Sequence, residues 1–233
     1  MADPQIIRAV TFDVGGTLIE PWPSVGDVYA SVAAEFGCQG ISPSALNDNF
    51  AAAWRAKMQF DYSRGAWREL VDATFAGLIP EPPSRDFFEA LYGRFESVEV
   101  WRVFADVRPV LAALRACGLR LAVISNWDQR LRPLLERLDL ARHFDATVVS
   151  IEAGCTKPAP EIFHRAAALL GVPPCSVVHV GDSASEDQAG ARSAGMRSVL
   201  LERGSGSTGR GRIRALTELP GLLEAPGADW GLD

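Results

Sequence analysis

Short apolar runs, each followed by a helical pattern, recur at both ends of the chain. Runs of four to eight apolar residues bounded by turn-forming residues fit strands that are buried on both faces. The predicted strands span residues 6–13, 119–125, 145–150, 176–181 and 197–202, and the predicted helices between them span residues 107–117, 129–138, 160–170 and 184–194. This alternation predicts an α/β fold with a doubly wound parallel sheet and right-handed, Rossmann-like crossovers.

The middle of the chain has a different pattern, with helical periodicity and without clear strands. Its predicted helices span residues 25–36, 44–60, 65–77 and 84–95. We therefore predict an α/β core domain from residues 1–20 and 104–233, with residues 21–103 as an inserted all-helical cap domain. The insertion follows the carboxyl end of a strand, where doubly wound sheets bind their ligands.

Charge and composition exclude several functional classes. The net charge of -6 argues against a nucleic-acid-binding surface, which is normally basic. No apolar run reaches the roughly 20 residues that span a membrane. The first residues, Met-Ala-Asp-Pro-Gln, lack the basic and apolar regions of a signal peptide. We expect a cytoplasmic protein, a monomer or homodimer, that acts on a small molecule.

A glycine-rich segment near the C-terminus formally matches a dinucleotide-binding motif. It reads Gly-Ser-Gly-Ser-Thr-Gly over residues 204–209 and follows the last predicted strand. The βαβ unit that carries this motif needs another strand after it. We predict no further strand, and therefore no dinucleotide site.

Reactive side chains follow several of the predicted parallel strands. Asp13 ends the first and is followed by Val-Gly-Gly-Thr, and Ser125-Asn126 ends the second. Lys157 follows the third, and Asp182 directly follows the fourth. Because the carboxyl ends of parallel strands meet at one edge of the sheet, we expect these groups to form one site.

These segments resemble the motifs of the haloacid dehalogenase superfamily, in its helical-cap subgroup. The resemblance runs from Phe12 to Leu201 and rests on Asp13-Val-Gly-Gly-Thr17, Ser125, Lys157 and Gly181-Asp182-x4-Asp187. The segment Leu-Arg-Leu-Ala-Val-Ile-Ser-Asn, with Lys-Pro later, is similar to the branch called haloacid dehalogenase-like hydrolase domain-containing protein three.

The resemblance implies a role for each matching residue. Asp13 is the expected catalytic nucleophile, assisted by Lys157. A Mg²⁺ cofactor would take hard oxygen ligands. The implied metal ligands are Asp13, the Gly15 carbonyl, Asp182 and Asp187, and the implied phosphate-binding residues are Thr17, Ser125, Asn126 and Lys157.

The rarity of lysine in the chain supports Lys157 as a site residue. The chain has 23 basic residues, of which only Lys57 and Lys157 are lysines. A compact ammonium and a planar guanidinium differ in reach and geometry. A lysine in a chain that otherwise uses arginine indicates a position that needs the ammonium.

Gly15 departs from the pattern of the phosphatases that the chain resembles. They carry an aspartate there, two residues after the nucleophile, as the general acid and base. General acid–base catalysis is typically worth about 10²–10⁴-fold. Three interpretations follow: a phosphatase-like hydrolase that is slow or finds its acid elsewhere; phosphonate C–P hydrolase or dehalogenase-type chemistry, the former with Lys57 forming a Schiff base; or a non-catalytic phosphate-binding protein.

Overall fold

A computed structural model describes residues 6–57, 60–204, 209 and 211–224 of the 233-residue chain. The chain divides into two compact units, one formed by Met1–Ile19 with Val103–Asp233 and the other by Glu20–Arg102. Among the described residues, no helix has the length and apolar character needed to cross a membrane.

The first unit is built on a six-stranded sheet in which all five neighbouring pairs are parallel. This confirms the predicted doubly wound α/β fold. In spatial order the strands are β5 (Ala146–Val149), β4 (Arg120–Ser125), β1 (Ala9–Phe12), β6 (Val177–Gly181), β7 (Arg197–Leu201) and β8 (Arg212–Ile213). The chain thus leaves β1 with β4 on one side and β6 on the other, so residues after these strands lie close together.

The described residues of the first unit also form six α-helices. They are α5 (Val107–Ala116), α6 (Leu131–Arg137), α7 (Ser150–Ala153), α8 (Pro160–Leu170), α9 (Ala189–Ser193) and α10 (Leu219–Glu224). Gly118 and Gly195 follow α5 and α9 with positive φ, the backbone conformation that ends helices and favours glycine. Apolar side chains of α8 and α9 pack with Ala9 of β1, Ala122 and Ile124 of β4 and Val177 of β6. The neighbouring strand residues are also buried, as expected for a covered parallel sheet.

The described residues of the second unit form four α-helices with a core of their own. They are α1 (Val25–Glu35), α2 (Pro43–Ala56), α3 (Arg64–Phe75) and α4 (Phe88–Arg94). Ser24, Ser42 and Ser63 cap the first three by accepting backbone N–H hydrogen bonds, which satisfies donors that the first helical turn leaves unpaired. Tyr29 and Phe75 stack at 5.7 Å between ring centroids inside this core.

Three expectations about the elements were wrong. Two short strands, β2 (Ile19–Pro21) and β3 (Trp101–Val103), pair where the chain enters and leaves the second unit. A strand, β8, does follow the glycine-rich segment, whose residues 205–208 lie outside the described part of the chain. The helix expected over residues 184–194 begins instead as a π-helical turn, Ala184–Gln188, and continues as α9.

Candidate functional site

The Asp13 carboxylate lies directly beyond β1 and is almost fully buried, with 7% of the residue exposed. Its backbone N–H donates to the Val180 carbonyl at 2.9 Å, so strand pairing continues to the residue itself. Its Oδ1 atom accepts hydrogen bonds from Ser125 Oγ at 3.2 Å and from Lys157 Nζ at 2.5 Å. Burial raises the pKa of Asp13, and the neighbouring Lys157 ammonium opposes that shift.

The Lys157 ammonium bridges two buried carboxylates. Nζ lies 2.5 Å from Asp13 Oδ1 and 2.6 Å from Asp187 Oδ1, and only 2% of the lysine side chain is exposed. Burial alone would lower the pKa of Lys157, but the two carboxylates outweigh burial and raise it. The lysine is therefore a fixed positive charge within the site.

Asp187 lies in the π-helical turn Ala184–Gln188, and such turns are often found at functional sites. Its Oδ2 accepts from Ser183 N at 3.0 Å, and its Oδ1 from Lys157. A Cβ on Gly181 would lie only 2.2 Å from the Asp187 carboxyl carbon, so glycine permits this approach. Burial would raise the pKa of Asp187, but the charge of Lys157 lowers it.

Three carboxylates converge within the described part of the chain. Asp13, Asp182 and Asp187 each offer one oxygen, and these atoms all lie within 4.8 Å of one another. Asp182 is the solvent-exposed member, and partial desolvation together with repulsion from the other two raises its pKa to about 7. Three acidic groups beside one ammonium leave excess negative charge, and hard oxygen donors in this arrangement fit Mg²⁺.

Two glycines shape the loop after Asp13. Gly16 has a φ of +77°, and a Cβ on it would lie 2.2 Å from Asp182 Oδ2, so only glycine fits. Gly15 has no such strain, and a Cβ there would meet only the Trp127 ring, at 3.4 Å. Gly16 N donates to the Ile19 carbonyl at 2.8 Å and closes the loop.

The polar residues expected to bind phosphate differ in what they contact. Thr17 Oγ1 is buried and has no hydrogen-bond partner within the described residues. A buried hydroxyl without a partner is costly, and a ligand oxygen would satisfy it. The Asn126 side chain instead holds the Lys157 backbone: Oδ1 accepts from Lys157 N at 2.7 Å, while Nδ2 donates to Lys157 O and to Glu186 Oε2, both at 3.0 Å.

Comparison with known proteins identifies the family of the chain. The family model of haloacid dehalogenase-like hydrolases matches residues 7–195. Haloacid dehalogenase-like hydrolase domain-containing protein 3 of Bos taurus is 37% identical over 212 residues, covering 86% of this chain and 84% of that protein. The chain belongs to the haloacid dehalogenase-like hydrolase family.

Other family members extend the comparison. The phosphoglycolate phosphatase of Salmonella typhi is 28% identical over 230 residues, covering 92% of this chain and 87% of that protein. The crystal structure of a phosphatase of this family from Thermococcus onnurineus superposes with a TM-score of 0.68 at 27% identity, covering 96% and 99% of the two chains. Family membership and fold were thus predictable from the motifs.

Sequence reasoning missed two members of the cluster. His179 is fully buried, and both of its ring nitrogens make hydrogen bonds: Nε2 lies 3.0 Å from Asp187 Oδ1, and Nδ1 lies 2.9 Å from Thr11 Oγ1. Both Thr11 and His179 interrupt otherwise apolar strands, and that interruption is the signal that could have identified them.

Lys57, the candidate Schiff-base residue, lies in the second unit just after α2. Its Nζ donates to the Ala66 carbonyl at 3.3 Å, lies 3.9 Å from Glu69 Oε2, and sits 4.8 Å from the centre of the Phe60 ring. These contacts within its own unit account for the lysine without a substrate.

Proposed function

We propose that this protein is a Mg²⁺-dependent hydrolase of small phosphorylated molecules that forms a covalent intermediate on Asp13. The observation that carries the proposal is the buried Lys157 ammonium between Asp13 and Asp187, beside a third carboxylate. An anionic nucleophile can approach an anionic phosphoryl group only if nearby positive charge offsets their repulsion.

The metal-binding part of the proposal uses the converging carboxylates. Asp13, Asp182 and the backbone carbonyl of Gly15 would hold Mg²⁺, with Asp187 beside them. When bound, Mg²⁺ would neutralise charge on the nucleophile and on the phosphoryl oxygens. The surplus of carboxylates over ammonium groups supports this assignment.

Phosphate binding is assigned to groups around Asp13. The unpartnered Thr17 hydroxyl and the Ser125 hydroxyl would donate to phosphoryl oxygens, and Lys157 would supply the charge. Direct contact of Asn126 with phosphate stays a prediction, and its hydrogen bonds to the Lys157 backbone support the lysine's position.

The reaction has two steps. An Asp13 carboxylate oxygen attacks phosphorus, the phosphorus–oxygen bond to the leaving group breaks, and the leaving oxygen takes the electron pair and then a proton from solvent. Water then attacks phosphorus, the bond to Asp13 breaks with return of the electron pair to the carboxylate, and inorganic phosphate leaves while the proton of the water passes to solvent. Because Gly15 has no side chain to move protons, we expect both steps to be slow unless the substrate's leaving group is easily expelled or another group supplies the acid.

The role of Glu20–Arg102 as a cap domain stays a prediction based on its insertion point after β1. The phosphoglycolate phosphatase relative suggests phosphorylated small acids as the first substrates to test.

A substrate panel tests the proposal. Purified protein with Mg²⁺ would be assayed on aryl phosphates, phosphoglycolate and other phosphorylated metabolites, with D13N as control. Turnover that requires both Mg²⁺ and Asp13 supports the proposal. Turnover of 2-haloacids alone, or of phosphonoacetaldehyde with a borohydride-trapped adduct on Lys57, would replace it by the corresponding alternative. Phosphate binding without any turnover would identify a non-catalytic binding protein.

A further inference from the structure

Two buried polar residues lie directly opposite each other on neighbouring strands of the sheet. Thr11 of β1 is in register with His179 of β6, and both are fully buried. Thr11 Oγ1 and His179 Nδ1 are 2.9 Å apart. They lie two residues before Asp13 and Gly181, within the sheet and close to the candidate site.

The His179 ring connects this pair to the site. Nε2 lies 3.0 Å from Asp187 Oδ1. A carboxylate oxygen accepts hydrogen bonds, so Nε2 is the donor, and in the neutral ring Nδ1 accepts from the Thr11 hydroxyl. The edge-to-face contact with Phe163, at 5.1 Å and 88°, fixes the plane of the ring.

Asp187 in turn controls where the lysine lies. Its carboxylate has three donors: His179 and Lys157 on Oδ1, and Ser183 N on Oδ2. Removing the His179 donor would leave only Lys157 and Ser183 N on the carboxylate, so its orientation about the Cβ–Cγ bond would be less restricted. Lys157 Nζ, which shares Oδ1, would then lose its fixed position relative to Asp13.

We propose that Thr11 and His179 form a buried bridge that positions Asp187 and, through it, the Lys157 ammonium beside Asp13. The consequence for catalysis rests on the proposed function, whereas the positioning itself does not. A histidine that only filled space could be replaced by any side chain of similar volume. A bridge needs a donor at the place of Nε2.

Two amide substitutions separate these roles. In H179Q the side-chain amide nitrogen can occupy the place of Nε2 and still donate to Asp187. In H179N the shorter amide reaches only the place of Nδ1, beside Thr11. T11V removes the hydroxyl while keeping the shape, and T11S keeps the hydroxyl.

The lysine content provides a direct readout. Because the chain has only Lys57 and Lys157, lysine labelled with ¹⁵N at Nζ and ¹³C at Cε gives two side-chain NMR signals, which K57R assigns. We expect H179N and T11V to shift or broaden the Lys157 signal while the Lys57 signal stays unchanged. We expect H179Q and T11S to keep the wild-type Lys157 signal.

Binding and activity supply the second readout. Calorimetry would measure the affinity for inorganic phosphate with Mg²⁺, and kcat and KM would be measured on whichever aryl phosphate the wild type turns over. We expect H179N to lower kcat by roughly 10–100-fold with a smaller change in KM, and H179Q to restore it to within a few fold.

Folded H179N and T11V variants with an unchanged Lys157 signal would overturn the bridge. Equal losses in H179Q and H179N would also overturn it, since a space-filling histidine predicts that result. If H179N does not fold, the Lys157 signals of T11V and T11S are compared instead, and equal signals in the two variants would overturn the bridge. A wild type without turnover would refute the proposed function, while the Lys157 signal would still decide the bridge.

Discussion

Replacing Lys157 with methionine tests the electrostatics of the site. Methionine keeps a long apolar stem but removes the ammonium that lies 2.5 Å from Asp13 and 2.6 Å from Asp187. Breaking a buried ion pair by removing one partner typically costs about 3–5 kcal/mol, because the other charge stays buried. Asp187, with 2% of its side chain exposed, loses the ammonium that lowers its pKa.

The free-energy cost of protonating the aspartate gives the same magnitude. The variant can relieve an unpaired buried aspartate by protonating it, and from the ordinary pKa of 3.8 this costs about 4 kcal/mol at pH 7 and about 1.6 kcal/mol at pH 5, at about 1.36 kcal/mol per pKa unit. The loss of lysine raises the folded-state pKa of the aspartate. The penalty is therefore present well above pH 3.8 and shrinks as the pH falls toward that value.

Urea denaturation with EDTA measures this prediction. We expect K157M to lose about 4 kcal/mol of unfolding free energy at pH 7 and less than half of that at pH 5. The control K157M/D187N, which also removes the unpaired charge, should recover at least about 2 kcal/mol at pH 7. A loss below about 1 kcal/mol at pH 7, or an equal loss at both pH values, would refute the reasoning.

Three further predictions concern the loop and the metal. G15D should raise the rate on aryl phosphates on the order of 10²-fold over the isosteric G15N, because the new side chain can move protons; equal rates in kinetic assays would count against the missing-acid argument. G16A should lose Mg²⁺-dependent thermal stabilisation, while G118A, with a φ of +76° but open space around it, should keep it; similar losses in both would mean that backbone strain alone is responsible. Because the pKa of Asp182 is raised to about 7, the metal-free protein should lose stability as the pH rises from about 4 to 7, by at most about 1 kcal/mol after discounting for exposure. The rise in Tm with Mg²⁺ should be larger at pH 8, where Asp182 is ionised, than at pH 5; an equal rise at both pH values would contradict this.

Much of the site was predictable because strand ends are easy to find. The apolar run before Asp13 and the one before Asp182 mark two strands, and parallel strands place their carboxyl ends at one edge. Proximity of the two aspartates follows without knowledge of the packing. The distance from Lys157 Nζ to each carboxylate could not be predicted, since it depends on how the loop after β5 is held by Asn126.

The missed features depend on tertiary contacts. The strands β2 and β8 have three and two residues, which is too short for periodicity to distinguish a strand from a loop. The π-helical turn arises where Asp187 reaches Lys157 and Ser183 N, and nothing in the local sequence requires it. The role of His179 could not be predicted because a buried histidine that fills space and one that bonds to Asp187 fit the same strand pattern.

The covalent step on Asp13 is the central claim, and trapping the intermediate tests it most directly. Protein mixed with Mg²⁺ and a turned-over aryl phosphate would be quenched, reduced with borohydride and mapped by peptide mass spectrometry. We predict reduction of the acyl phosphate at Asp13, with a high occupancy in the wild type because Gly15 cannot activate water, and none without Mg²⁺ or in D13N. Turnover with an unmodified Asp13, or with the phosphoryl group on another residue, would contradict the account.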